Sequence, residues 1–162
     1  MNPILQLIAA WAGSLGFALL FNVRGKKLPL ASLGGLLAWA VYLLIARHTS
    51  NDYLCGFCAS VALTLYAEVM AICQKSPVTV FLVSAAIPLI PGAALYRAMD
   101  CVMHGDWPGL WQRGSYALLF AASMSAGITV TTILFQLIRG SLHAHIHPHG
   151  WGRCAFRAHV LK

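Results

Sequence analysis

The chain has 162 residues, of which 59% are hydrophobic and 9% are charged. Soluble domains carry about a quarter charged residues, so this composition excludes an ordinary soluble protein and predicts an integral membrane protein. The formal net charge of +7 would suit a nucleic-acid binder, but the basic residues are scattered between apolar runs and form no continuous patch, so we expect no nucleic-acid partner.

Five apolar stretches are long enough to cross a hydrocarbon core of about 30 Å at a rise of about 1.5 Å per residue. They cover residues 3–21, 29–46, 53–73, 77–98 and 115–138. We therefore predict an all-α integral membrane protein: a bundle of about five transmembrane helices over residues 1–140, followed by a basic, histidine-containing cytoplasmic tail over residues 141–162. Residues 99–114 mix tryptophan with charged side chains and are predicted to form an interfacial loop.

The loops between these stretches carry an uneven charge. With five spans, one side of the membrane holds eight basic residues: Arg24, Lys26, Lys27, Lys75, Arg139, Arg153, Arg157 and Lys162. The other side holds three: Arg47, Arg97 and Arg113. Because cytoplasmic loops are enriched in Lys and Arg, we predict a cytoplasmic C-terminus and an external N-terminus. A re-entrant hairpin at the fourth stretch would leave almost no charge bias, which favours five spans.

The third stretch contains Glu68, the only carboxylate within a predicted span. Ser60 and Thr64 precede it at intervals of four residues, so the three side chains share one helix face. An ionisable group at such depth is costly and marks a functional site, with Glu68 as a proton carrier or as the partner of a substrate ammonium group. The alternative is a carboxylate that reaches the interface or bonds to a neighbouring helix.

The fourth stretch is interrupted near its middle by Pro88, Pro91 and Gly92. Each proline lacks an N–H and clashes with the carbonyl four residues earlier, so Ser84 and Ile87 lose their helical donors and the helix is predicted to break. Beyond the break, the first amides of a second half-helix would present a positive dipole end, which suits a carboxylate.

Such a break persists in hydrocarbon only where it is buried in protein or faces a watery cavity. Discontinuous helices of this kind form the substrate and ion sites of many transporters. We therefore predict a substrate-binding site whose residues are Ser84, Ile87, Pro88, Pro91, Gly92, Ala93 and Ala94. A proline kink that only improves packing is the alternative.

Hydroxyl groups of two stretches are candidates for a polar path. Ser125 and Thr129 share one face of the predicted fifth helix, and Ser60 and Thr64 share one face of the third. Hydroxyls also bond between membrane helices as packing contacts, which is the alternative role of the fifth-helix pair.

The tail contains alternate histidines that are candidates for a metal site: His143, His145, His147 and His149. A basic tail in contact with solvent or lipid headgroups is the favoured interpretation. No cofactor is implied. The sequence offers no nucleophile and base in a recognisable constellation, so we do not expect an enzyme.

A two-part pattern surrounds the break: Lys75-x-Pro77-x-Thr79-x-Phe81 and Ile87-Pro88-Leu89-Ile90-Pro91-Gly92. It resembles the threonine/serine exporter family in its small-subunit, YjjB-like form, over nearly the whole hydrophobic part of the chain. The resemblance implies a subunit of a bacterial inner-membrane exporter of threonine, serine or related small carboxylates, driven by the proton motive force and working with a larger transmembrane partner. A non-transporting membrane scaffold for a partner protein is the alternative function.

Overall fold

The computed structural model describes residues 2–23, 25 and 27–146, and every regular element within them is a helix. The α-helices are α1 (Pro3–Leu20), α2 (Lys27–Ala46), α3 (Asp52–Gln74), α4 (Val78–Ala86), α5 (Gly92–Met103) and α6 (Trp107–Ile146). A single 3₁₀ turn, Ile87–Leu89, follows α4. The predicted all-α class is confirmed: four helices are long and apolar enough to span a membrane, and the bent pair of α4 and α5 supplies a fifth segment.

Local sequence explains where α3 begins and ends. The side chain of Asn51 accepts the backbone N–H of Tyr53, which caps the first turn. At the other end Lys75 adopts a left-handed conformation with a φ of 46°, and the N–H of Ser76 donates to the carbonyl of Ala71 at 3.0 Å. These bonds satisfy backbone groups that a helix end leaves without partners.

The predicted interfacial loop over residues 99–114 is wrong, because both of its halves are helical. α5 continues to Met103 and α6 begins at Trp107, so only residues 104–106 separate the two helices. The side chain of Asp106 accepts the N–H of Gly109 at 3.0 Å, which is the bond of a helix N-cap. α6 also continues past residue 140, the predicted end of the transmembrane part.

The bent pair of α4 and α5 crosses the bundle instead of returning to the end at which it starts. The two helices meet at 55°. α3 and α6 run parallel, since Tyr116 of α6 bonds to Asp52 at the start of α3, and Gly127 packs on Ser60 about two turns further along α3 and three turns further along α6. A re-entrant hairpin would have made α3 and α6 antiparallel. The fourth predicted span is therefore a crossing segment with a bend.

Small residues let α2 lie directly against α1 and α4. A Cβ added to Gly35 would collide with the hydroxyl of Ser14 on α1, and one added to Gly34 would lie 2.8 Å from the Cβ of Ala85 on α4. Such distances are too short for ordinary contact, so both glycines are required by packing. By contrast, α5 packs closely against α6 alone among the described helices.

Candidate functional site

At the break, helical hydrogen bonding is replaced by bonds to other donors. Pro88 cannot donate to the carbonyl of Ser84, and this oxygen instead accepts the hydroxyl of Ser14 from α1 at 2.8 Å. The carbonyl of Ile87 accepts the N–H of Ile90 at 3.2 Å. Both carbonyls that lose a helical donor therefore have protein partners, and Ser14 ties α1 to the break.

Three of the first four amides after the break also have partners. The N–H of Gly92 donates to the carbonyl of Ile90 at 2.7 Å, and those of Ala94 and Leu95 both donate to the carbonyl of Pro91 at 3.1 Å. The sequence predicts that the first amides of the second half-helix face a ligand, whereas these three donate within the chain. What this segment offers to a ligand is the positive end of the α5 dipole beside small side chains.

A cavity of about 810 Å³ lies against the break. Five of the seven residues predicted for the substrate site line it: Pro88, Pro91, Gly92, Ala93 and Ala94. Ser84 and Ile87 do not, and Ser84 is fully buried. The other walls come from α2, α5 and α6, so the structure adds residues that the sequence pattern of the break does not contain.

Two arginines give the cavity its charge. Arg97 of α5 and Arg113 of α6 line it with exposed side chains, and neither forms an ion pair within the described part of the chain. The described lining contains no carboxylate. Arg97 follows Ala93 and Ala94 by about one turn, so its side chain and the start of α5 lie on the same wall. Guanidinium groups bind carboxylates through two parallel hydrogen bonds, so the arrangement suits an organic anion.

Sequence reasoning missed these two arginines because it treated them as topology signals at span ends. The helical period contains the missing signal: Arg113, Tyr116 and Phe120 recur at intervals of three and four residues, which puts them on one face of α6. Trp39 and Tyr42 of α2, which near a span end suggest interface anchors, also line the cavity.

The cavity lies closer to one end of the bundle than the position of the break in the sequence suggests. Of its lining residues, Phe120 packs against Gly56 of α3 and Tyr116 bonds to Asp52. Gly56 lies about 6 Å along α3 from Asp52 at the helical rise of about 1.5 Å per residue. The cavity is therefore near the end of the bundle where α3 begins.

Glu68 lies about 18 Å further along α3 than Gly56. Its side chain is buried, with 5% of the residue exposed, and it makes no hydrogen bond or ion pair with residues that the structure describes. No fully enclosed side-chain oxygen in the described part lacks a partner, so the carboxylate must keep a narrow access to its surroundings. Glu68 does not line the cavity, and its roles as a proton carrier and as the partner of a substrate ammonium group both stay predictions.

The hydroxyls predicted to form a polar path are not brought together. Ser60 and Thr64 are fully buried, and they donate within α3, to the carbonyls of Phe57 at 2.7 Å and Ser60 at 2.8 Å. Ser125 and Thr129 are exposed on α6, where Thr129 donates to the carbonyl of Ser125 at 2.8 Å. The two pairs lie in different environments.

The predicted metal candidates lie outside the described side chains: His143, His145, His147 and His149. That hypothesis therefore stays a prediction.

One family model matches the chain over most of its length. The model is described as threonine/serine exporter, ThrE, and it covers residues 6–134. This range runs from α1 into the second half of α6 and includes the break, the cavity and Glu68. No solved structure matches the chain.

Proposed function

Since the chain belongs to the threonine/serine exporter family, we propose that this multi-pass membrane protein is one half of a secondary exporter, and that the cavity at the break receives the carboxylate of a small metabolite. The cationic lining carries the proposal, because Arg97, Arg113 and the start of α5 meet there and no carboxylate accompanies them in the described lining. The cavity volume of about 810 Å³ is within the range of small-molecule sites, about 300–1,000 Å³.

We place the protein in the bacterial inner membrane with its C-terminus in the cytoplasm, because eight of the eleven Lys and Arg residues then lie on that side. In this orientation the cavity is nearer the outer face and Glu68 nearer the cytoplasmic face. A buried carboxylate changes its charge when it binds or releases a proton, and the cost of that charge depends on its surroundings. We therefore propose Glu68 as the group that couples export to the proton motive force.

A larger transmembrane partner would complete the exporter. Five crossings give this chain termini on opposite sides, and a partner of opposite orientation would form an inverted pair around a central site. The exposed polar residues of α6 support such a contact: Ser125, Thr129 and Gln136. Hydroxyl and amide groups bond across helices in membranes. The same surface would serve the second candidate function, a non-transporting scaffold.

The test is counterflow of threonine, serine or a related carboxylate in proteoliposomes. We expect counterflow when this chain is reconstituted with its partner, and none with this chain alone. The double variant Arg97→Gln with Arg113→Gln should assemble with the partner and lose most of the counterflow. Arg47→Gln is the matched control, since Arg47 lies at the same end of the bundle outside the cavity lining.

Three results would revise the proposal. Robust transport by this chain alone would contradict the two-half arrangement. An assembled double variant with unchanged counterflow would remove the cavity as the substrate site. An intact wild-type complex that moves no carboxylate would favour the scaffold.

A further inference from the structure

Four aromatic side chains line one side of the cavity, and we call them the aromatic wall: Trp39, Tyr42, Tyr116 and Phe120. Each ring contacts the next. Trp39 stacks on Tyr42 with centroids 5.2 Å apart, Tyr42 meets Phe120 at 6.4 Å in an edge-on arrangement, and Phe120 lies 6.2 Å from Tyr116. Aromatic contacts of these geometries are favourable beyond simple burial, so the rings hold one another in place.

Hydrogen bonds fix both ends of the aromatic wall. The indole N–H of Trp39 donates to the side-chain oxygen of Gln6 on α1 at 3.3 Å. The hydroxyl of Tyr116 donates to the carboxylate of Asp52 on α3 at 2.9 Å. Because the indole N–H and the Tyr116 hydroxyl already donate to protein groups, Trp39 and Tyr116 present their rings to the cavity and not a free hydrogen-bond donor. The wall is a rigid, largely apolar surface.

An aromatic belt at the membrane interface does not explain this surface. Belt residues place their rings among lipid headgroups and are therefore exposed on the protein surface. Trp107 and Trp111 fit that description, because 68% and 81% of these residues are exposed. Phe120 is buried, and Trp39, Tyr42 and Tyr116 are half-buried against one another. Their rings face a cavity within the chain.

The aromatic wall and the arginines are close enough for one small ligand to reach both. Arg113 and Tyr116 are one turn apart on α6, so their Cβ atoms are about 5–6 Å from each other. A ligand that contacts both side chains therefore needs its anionic group and its flat group about that far apart. Threonine and serine lack a flat apolar group, and their ammonium would meet no carboxylate in the described lining. A carboxylic acid with an attached ring matches both features.

We propose that the aromatic wall selects, among small carboxylates, acids with a planar apolar body. The inference rests on the proposed function and names the substrate class of the same cavity. In it, Arg97 and Arg113 hold the carboxylate while Tyr116, one turn from Arg113, packs against the ring and is a specificity-determining residue.

The experiment measures binding to the purified full-length chain in nanodiscs with three probes: phenylacetate, cyclohexylacetate and propionate. We expect phenylacetate to bind roughly tenfold more tightly than propionate, with cyclohexylacetate between them because its ring is not flat. Tyr116→Leu, which keeps an apolar side chain of some bulk, should reduce phenylacetate affinity to that of cyclohexylacetate and leave propionate unchanged. Tyr116→Phe, which loses the same bond to Asp52 but keeps the ring, should retain the preference. Trp111→Leu, outside the cavity lining, is the matched control.

The outcomes separate this inference from the proposed function. Equal binding of phenylacetate and propionate, or an equal loss of both in Tyr116→Leu, would overturn selection by the aromatic wall and leave carboxylate binding intact. Unchanged binding of every acid in the Arg97→Gln, Arg113→Gln double variant would instead contradict the proposed site. Repeating the titration with anionic lipid in the nanodisc tests a lipid occupant, and competitive loss of phenylacetate binding there would also overturn the inference.

Discussion

The cavity at the break and the surroundings of Glu68 are two polar regions of opposite character. The cavity is wide and cationic, with exposed arginines and no described carboxylate, whereas Glu68 is one buried carboxylate without a described partner. About 18 Å of α3 separates Glu68 from Gly56, against which the cavity-lining Phe120 packs. If the cavity binds substrate and Glu68 carries a proton, the two cannot touch in this conformation. Coupling must then pass through a movement of helices, as alternating access requires.

The largest effect is expected when Glu68 is changed to Gln. The amide keeps the shape of the side chain and loses the titratable charge, so gradient-driven export by the assembled complex should fall to background. Counterflow, which needs no net coupling, should persist because the cavity is unaltered. Asp100→Asn, an exposed carboxylate on α5, is the control and should export like the wild type. Normal gradient-driven export by Glu68→Gln would leave Glu68 a structural role only.

A smaller effect is expected at Gly92, which lines the cavity and where an added Cβ would meet nothing within 4 Å. Gly92→Val should therefore fold normally and weaken substrate binding by about tenfold, since its methyl groups occupy ligand space. Expression level and substrate affinity of the complex are the two measurements.

Gly35→Ala, unlike Gly92→Val, should reduce the stability of the fold. Its Cβ would collide with the hydroxyl of Ser14 and lie 3.3 Å from Pro88, so it should cost about 1–3 kcal/mol of stability through overpacking. Thermal unfolding in detergent checks this expectation. If Gly92→Val unfolded early and kept full affinity, the break would be a packing kink.

The smallest effect is expected from Ser14→Ala, which removes the bond to the carbonyl of Ser84. Hydrogen bonds between membrane helices average about 0.6 kcal/mol, so the loss of stability should be of that order. Ser32→Ala is the control, because among the described residues the hydroxyl of Ser32 bonds only to the carbonyl of Pro29 in its own helix. Equal unfolding midpoints for the two variants would show that Ser14 does not hold the break against α1.

The sequence predicts the membrane segments well because apolar length is a local property. The five predicted spans match the helices to within a few residues, except that the fifth lies inside the longer α6. The break at Pro88 is also local, since a missing N–H follows from the residue type. Charged and aromatic residues after residue 98 suggested a loop, and this concealed the helical spacing of Arg113, Tyr116 and Phe120.

Relations between distant residues could not be predicted in this way. The bond from Ser14 to the carbonyl of Ser84 joins residues 70 positions apart and depends on how α1 packs against α4. The separation of Glu68 from the cavity likewise depends on the register between α3 and α4, which one sequence does not specify. The proline pattern therefore located the break, while the fold was needed to bring Arg97 and Arg113 into one cavity.

The most direct test of carboxylate binding at the break compares a transported acid with its uncharged amide in the assembled complex. We expect the acid to bind at least about tenfold more tightly than the amide, because a hydrogen bond to a charged group contributes about 1.5–3 kcal/mol. In the Arg97→Gln, Arg113→Gln double variant this difference should disappear, while Arg47→Gln should retain it. Equal binding of acid and amide by the wild type, or a preference for the acid that survives in the double variant, would contradict the account.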